Sequence, residues 1–209
     1  MRSYDNSVFI NCPFDSTYRP LFEAVAFAVY DCGFYPRTAL EVEDSSEVRM
    51  DKIVRLIAEC RLAVHDVSRT QLDRDSRLPR FNMPLELGIF IGAKEFGEGE
   101  QRRKAAVVLD TERYRYQRYI SDIAGSDIRA HGRAPGRAIH QVRSFLSTHC
   151  ADRSILPGGE MIAARYAAFR RGLARACEKL HLRLDELTFR DLTTLMVAWL
   201  DQHPLAQAA

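Results

Sequence analysis

Apolar residues recur along this chain in two rhythms, short unbroken runs and longer stretches with a period near that of an α-helix. Residues 7–10 form the first run and are stopped by Asn11-Cys12-Pro13. Leu21, Phe22, Val25, Ala26 and Val29 follow at helical spacing, with Gly33 as a C-terminal stop. Residues 34–40 read as a second strand, and 41–46 as an acidic, polar loop. Met50, Ile53, Val54, Ile57 and Cys60 mark a second helix, and residues 62–67 a third strand. A long charged loop, 69–80, leads to a third helix marked by Leu85, Ile89, Phe90 and Ala93. Residues 105–109 make a fourth strand ending at Asp110. Tyr116, Tyr119, Ile120 and Ile123 predict a fourth helix stopped at Gly125. Residues 127–130 predict a short edge strand, and Ile139, Val142, Phe145 and Leu146 a fifth helix.

Strands that alternate with helices imply crossover connections and a parallel sheet covered on both faces. The first, third and fourth runs are nearly continuous in apolar residues, as a doubly covered sheet requires. The expectation is a doubly wound α/β domain over residues 1–150, with a five-stranded, mostly parallel sheet of flavodoxin-like order. After Cys150 the pattern changes. Pro157-Gly158-Gly159, within residues 154–160, reads as a hinge. Ile162, Tyr166, Phe169, Leu173, Cys177 and Leu180 then lie along one helical stripe. Thr188-Phe189-Arg190-Asp191 is a capping box, with Leu187 and Leu192 placed to staple it. Leu192, Leu195, Met196, Trp199 and Leu200 give a last helix, ended by Pro204. Residues 151–209 are therefore a helical extension whose apolar stripes need a partner: the α/β body, each other or a second subunit.

Composition narrows the classes. The formal charge of +2 over 209 residues argues against a dedicated nucleic-acid binder. Five cysteines lie far apart with no C-x-x-C pair and no zinc-ligand spacing, which fits a reducing, cytoplasmic setting and no metal site. No signal peptide is visible after Met1, and no run reaches the about 18 apolar residues of a membrane span.

The chemistry gathers in the loops after the first three strands, which converge at one edge of a parallel sheet. They carry Asn11, Cys12, Phe14 and Asp15; Arg37 with Asp44, Ser45 and Ser46; Asp66, Ser68 and Arg69; then Asn82 and Glu86. Carboxylates, amides, hydroxyls and an aromatic (Phe14 or Tyr18) suit a ribose and a base. A carboxylate there can stabilise or trap the oxocarbenium formed when an N-glycosidic bond breaks. Pro84 fits the first helical position, Asn82 a place just outside it, and Glu86 the first turn. Glu86 has two readings at that place: a residue favoured there by the helix dipole, or the acid of a sugar-cleaving site. Asp66 is either a turn cap or a ligand contact. Cys12 reads as a small buried hydrophobe, His65 as a core histidine and His131 as structural. Arg69, Arg74, Arg77 and Arg80, interrupted by Asp73 and Asp75, read as a solvated loop or as phosphate contacts from Arg69 or Arg80. Tyr114, Tyr116 and Tyr119 with interleaved arginines read as partly core, or as a stacking surface.

Other sites are excluded by what is missing. There is no G-x-x-x-x-G-K-[ST] loop and no G-x-G-x-x-G after the first strand. The first strand does not end in a carboxylate pair, as a phospho-receiver would need. No G-x-S-x-G elbow is present.

Val8-Phe9-Ile10-Asn11-Cys12-Pro13-Phe14-Asp15, His65-Asp66-Val67-Ser68 and Asn82-Met83-Pro84-Leu85-Glu86-Leu87-Gly88 with Lys94 resemble the TIR-like and nucleoside 2-deoxyribosyltransferase-like superfamily. The resemblance covers roughly residues 7–146. It implies that Glu86 is the catalytic carboxylate, and that Asn11, Phe14, Asp15, Asp66, Ser68 and Asn82 line a nucleotide pocket. It further implies cleavage of a ribosyl N-glycosidic bond, with NAD as substrate rather than cofactor, or a nucleoside N-glycosidase or deoxyribosyltransferase. A role in prokaryotic defence or signalling, with assembly of a homo-oligomer or a protein partner through the C-terminal helices, follows by analogy alone. The alternative from another class is a non-catalytic sensor or adaptor that binds a nucleotide signal in the same crevice.

Overall fold

The computed structural model describes residues 3–41, 43–72, 77–150 and 155–205. Five strands, β1 (Ser7–Asn11), β2 (Tyr35–Arg37), β3 (Leu62–Asp66), β4 (Ala105–Asp110) and β5 (Arg129–Ala130), pair in the order β2-β1-β3-β4-β5. Every pairing is parallel. Six α-helices accompany them: α1 (Arg19–Asp31), α2 (Arg49–Ala58), α3 (Asn82–Phe96), α4 (Pro135–Ser147), α5 (Gly159–Lys179) and α6 (Phe189–Gln202). This is the doubly wound arrangement expected from the alternation of runs and helical stripes.

The two faces follow from the side-chain period of a strand. Val8 and Ile10 of β1 point into a cluster with α1 and α4, while Phe9 points the other way, toward α2 and α3. Both β1 and β3 are buried along their whole length. Gly33 ends α1 with φ of +79°, a conformation that costs glycine little. Lys104 donates its ammonium to the carbonyl of Ile57 in the last turn of α2 and to that of Cys60 just beyond it. It thereby caps a helix end at which positive charge is favoured.

Three elements differ from the sequence reading. The second strand stops at Arg37, because the Thr38 hydroxyl and carbonyl accept from the N–H groups of Leu40 and Glu41 and turn the chain. The fourth helix is replaced by two 3₁₀ turns, Arg115–Arg118 and Ser121–Ile123. Tyr114 enters in the left-handed region, and the Tyr119 hydroxyl, 2.8 Å from both Val67 O and Asp110 Oδ2, shares its one proton between them and draws this segment onto the sheet rim. The third helix begins at Asn82 rather than after it, so Pro84 is its third residue and Glu86 stands in its second turn. The middle of the charged loop, with Asp73, Arg74 and Asp75, lies outside the described residues.

The C-terminal helices form a further layer on the α1–α4 face. Ile162, Tyr166, Phe169, Leu173 and Cys177 are all buried in the same cluster as α1 and α4, whereas Leu180 is exposed. Phe27 of α1 meets the rings of Tyr166, Phe169 and Trp199 at 5.5–5.8 Å. Arg165 pairs with Asp31 and Arg170 with Glu23, so ion pairs seal the edge of this contact. The capping box is present at Thr188 and Asp191. Pro157-Gly158-Gly159, read as a hinge, packs against α4. Arg143 donates to the carbonyls of Leu156 and Pro157, and a Cβ at Gly159 would sit 2.4 Å from the His140 ring. Ser154 is outside the described residues. Residues on either side of 150 therefore share one core.

Among the described residues no helix is long and apolar enough to cross a membrane. A shared core predicts cooperative unfolding. Phe169→Ala is expected to lower stability by about 3–5 kcal/mol while retaining a single transition in urea, read by both circular dichroism and Trp199 fluorescence.

Candidate functional site

The side chain of a helical residue leans toward the helix N-terminus, over the residues three and four before it. From the second turn of α3, Glu86 therefore reaches back beside Met83 and Asn82 to the rim of the sheet. There it lines a cavity of about 300 Å³ with Asn11, Cys12, Phe14, Asp15 and Asn82. Arg49, Arg69 and Arg80 also line it. Among the predicted residues, these are the ones the fold brings together.

Glu86 is 7 % exposed and makes no hydrogen bond or ion pair among the described residues. Burial raises its carboxyl from 4.5 to about 7, with the Arg49 guanidinium acting weakly in the opposite direction. A carboxylate this poorly solvated gains from any positive charge that forms near it. Burial also raises the Cys12 thiol well above its ordinary value, and Asp66, Glu86 and Asp15 push it further the same way. That argues against a nucleophilic thiolate. At Asp15 burial raises the carboxyl, but hydrogen bonds from Thr17 and the nearby Arg69 guanidinium outweigh it and leave the value lowered. Asp15 accepts from the N–H groups of Thr17 and Tyr18 and lies 3.4 Å from Arg69, so it shapes the loop and steers that arginine.

Asn11 holds the site together from below. Its amide donates to Met83 O at 2.8 Å and to His65 Nδ1 at 2.9 Å. Burial lowers the His65 ring to about 3, which keeps it neutral, and its other nitrogen lies without an acceptor near the rings of Phe9 and Phe90. His65 is thus the core histidine expected from its strand.

Asp66 has a different fate. It is wholly buried and accepts from the Tyr18 hydroxyl and the Ser68 N–H. His131 Nδ1 accepts from the Arg133 N–H, so its ring proton sits on Nε2, which lies 3.0 Å from Asp66 in poor hydrogen-bond alignment. Asp66 does not line the Glu86 cavity; it pins the loops after β1, β3 and β5 to each other. Ser68 faces a neighbouring hollow. Arg37 is held by Glu41 and Glu59, and Asp44 by Ser46 on the exposed loop, so neither they nor Ser45 reach the cavity.

No family model, curated protein or solved structure matches this chain. The site therefore stands on its own geometry.

Arg49, Leu40 and Met83 are members that the sequence reading passed over. Arg49 had a signal: it is the first residue of α2, where the helix dipole disfavours a cation. A basic residue at that end is better placed for an anion than for the helix.

Two variants separate the roles of the acids. The folded value at Glu86 lies above the ordinary one, so its contribution to stability is full below about pH 4.5 and lost as pH rises to about 7. Glu86→Gln should accordingly gain on wild type over that window, by on the order of 3 kcal/mol above pH 7. Asp66→Ala should instead lose about 3–5 kcal/mol, because it strands two buried donors. Urea unfolding at pH 4, 6 and 8 checks both.

Proposed function

We propose that this protein breaks an N-glycosidic bond to a ribosyl group, with NAD as the first substrate to test. The observation that carries the reading is Glu86: a desolvated, unpaired carboxylate inside a cavity that three arginines also line. The arginines suit phosphoryl oxygens, which guanidinium groups bind in a matched fork. Phe14 offers an aromatic edge for the base, and Asn82 an amide for the ribose hydroxyls.

As the bond from the ribosyl carbon to the base nitrogen lengthens, its electron pair leaves with the base. A pyridinium base such as nicotinamide departs neutral and needs no proton. Positive charge collects on the sugar carbon and ring oxygen, where the Glu86 carboxylate stabilises it or bonds to it. Water then adds to that carbon, its proton passing to Glu86 or to solvent; where Glu86 has bonded to the carbon, that C–O bond breaks as water adds and its electron pair returns to the carboxylate, and the ribosyl product is released. The ground state leaves Glu86 poorly solvated while the transition state offers it a partner, so the interaction favours the transition state selectively.

The non-catalytic sensor remains the second reading, and one contact series favours it. The Phe14 ring meets Phe22 at 5.4 Å, and Phe22 meets Phe189 at the start of α6 at 5.8 Å. A ligand against Phe14 is thus linked by packing to the C-terminal layer, whose outward Met161, Leu180 and Val197 are available for assembly with another chain.

The test is release of free base from NAD and from a nucleoside panel, followed by chromatography. Wild type should release base with kcat/KM rising through about pH 7, as Glu86 ionises. Glu86→Gln should lower the rate at least a hundredfold, and Arg49→Gln should chiefly raise KM. Base release undiminished in Glu86→Gln removes the mechanism; saturable binding with no release supports the sensor.

A further inference from the structure

A second cavity, of about 470 Å³, opens at the same rim on the other face of the sheet. The Glu86 hollow lies beside α2 and α3, whereas this one lies among the loops after β1, β3, β4 and β5, beside α1 and α4. Its size falls in the range of about 300–1,000 Å³ typical of small-molecule sites. Nothing in the proposed cleavage uses it.

Two chemistries line it. Pro20, Leu21 and Pro135 give apolar surface, while Arg69, Arg133, Ser68 and Thr111 bring cations and hydroxyls. Tyr18 and His131 form part of the wall and are held rigid through Asp66. Arg133 is exposed, and its guanidinium has no hydrogen bond or ion pair among the described residues. Its φ of +59° follows that of Gly132 at +57°, an uncommon pair of left-handed residues fixed by the Arg133 N–H bond to His131 Nδ1 at 3.0 Å. That turn delivers the chain into α4, whose N-terminus has no side-chain cap and begins with Pro135 at the cavity wall. An uncapped helix start beside two arginines and two hydroxyls attracts an anion. The prolines and Leu21 suit the flat face of a base.

We propose that this cavity binds a nucleoside monophosphate group, its base against Pro20, Leu21 and Pro135 and its phosphoryl oxygens on Arg133, Arg69 and the α4 N-terminus. The group can arrive as a free mononucleotide effector, or as the second half of a dinucleotide whose other half occupies the Glu86 hollow. Arg69 lines both cavities and would sit at the junction.

The experiment is isothermal titration of AMP and of adenosine into the full chain, into Arg133→Gln and into Glu86→Gln. AMP should bind saturably at one per chain, with adenosine at least tenfold weaker. Arg133→Gln should raise the AMP Kd at least tenfold at an unchanged Tm, and Glu86→Gln should leave it within twofold. Absence of AMP binding, or an AMP Kd indifferent to Arg133→Gln, overturns the proposal. Saturating ADP-ribose then separates the sources: exclusion of AMP assigns the cavity to a dinucleotide half, and continued AMP binding to a separate effector. The cleavage reading fails on base release and this one on AMP titration, so each can fall alone.

Discussion

One buried amide sets the geometry on which the rest depends. Asn11 ends β1 and spends its two N–H groups on a neighbouring strand, at His65, and on the first turn of α3, at Met83. Because the site is buried, water does not replace these bonds if they are lost, and a stranded donor or acceptor costs about 1–3 kcal/mol. The start of α3 is therefore registered to the sheet rim within hydrogen-bond tolerance, and so is the acid one turn further on. His65 completes the arrangement by remaining neutral: only a neutral ring can accept at Nδ1, and burial among Phe9 and Phe90 keeps it so.

Asp66 and Glu86 stand at the same edge of the sheet and are treated in opposite ways. Asp66 is surrounded by donors from three loops and is spent on architecture. Glu86 is also largely sheltered from water, at 7 % exposed, but has no partner among the described residues. A protein that needed only a filled position there would have gained stability from an amide or an apolar residue, since an unpaired buried acid opposes folding at neutral pH. The contrast between neighbouring groups of the same chemistry makes the unpaired one informative, because burial alone does not distinguish them.

The βα alternation was legible in the sequence because each buried strand is an apolar run and each helix has a one-sided stripe. Strand order, the helices after β1, β2, β3 and β5 and both C-terminal helices were expected in their observed places. The fourth helix failed for a physical reason: the spacing of Tyr116, Tyr119 and Ile120 fits a helix, but the hydroxyl of Tyr119 and the guanidinium of Arg115 bond Asp110 across the loop. Those bonds to the sheet rim carry no periodic signal. The candidate site divided likewise. Asn11 ends β1, Phe14 and Asp15 follow it, and Asn82 and Glu86 open the helix after β3; these two strands are adjacent at the point where the winding reverses, and the residues converge. Arg37 ends β2, an edge strand of three residues, and Asp44 and Ser45 follow it; local ion pairs and turns hold them away. A sequence shows which loop carries a residue more readily than how far that loop bends.

The C-terminal layer belongs to the site as well as to the core. Arg19 donates to the carbonyls of Leu184 and Asp185, fixing the connection between α5 and α6 against α1. Leu187 and Phe189 then share a small hollow with Phe14 and Leu40, two residues that also wall the Glu86 cavity. Removing residues beyond 150 would therefore do two things together. It would strip the covering from Phe27 and its neighbours on α1, exposing a face that is now buried, and it would release the packing behind Phe14. Loss of ligand binding in a truncated chain could not be assigned to either cause. Substitutions at the contact itself separate them, since shortening Phe189 alters the wall behind Phe14 while the stripe of α5 on Phe27 stays in place.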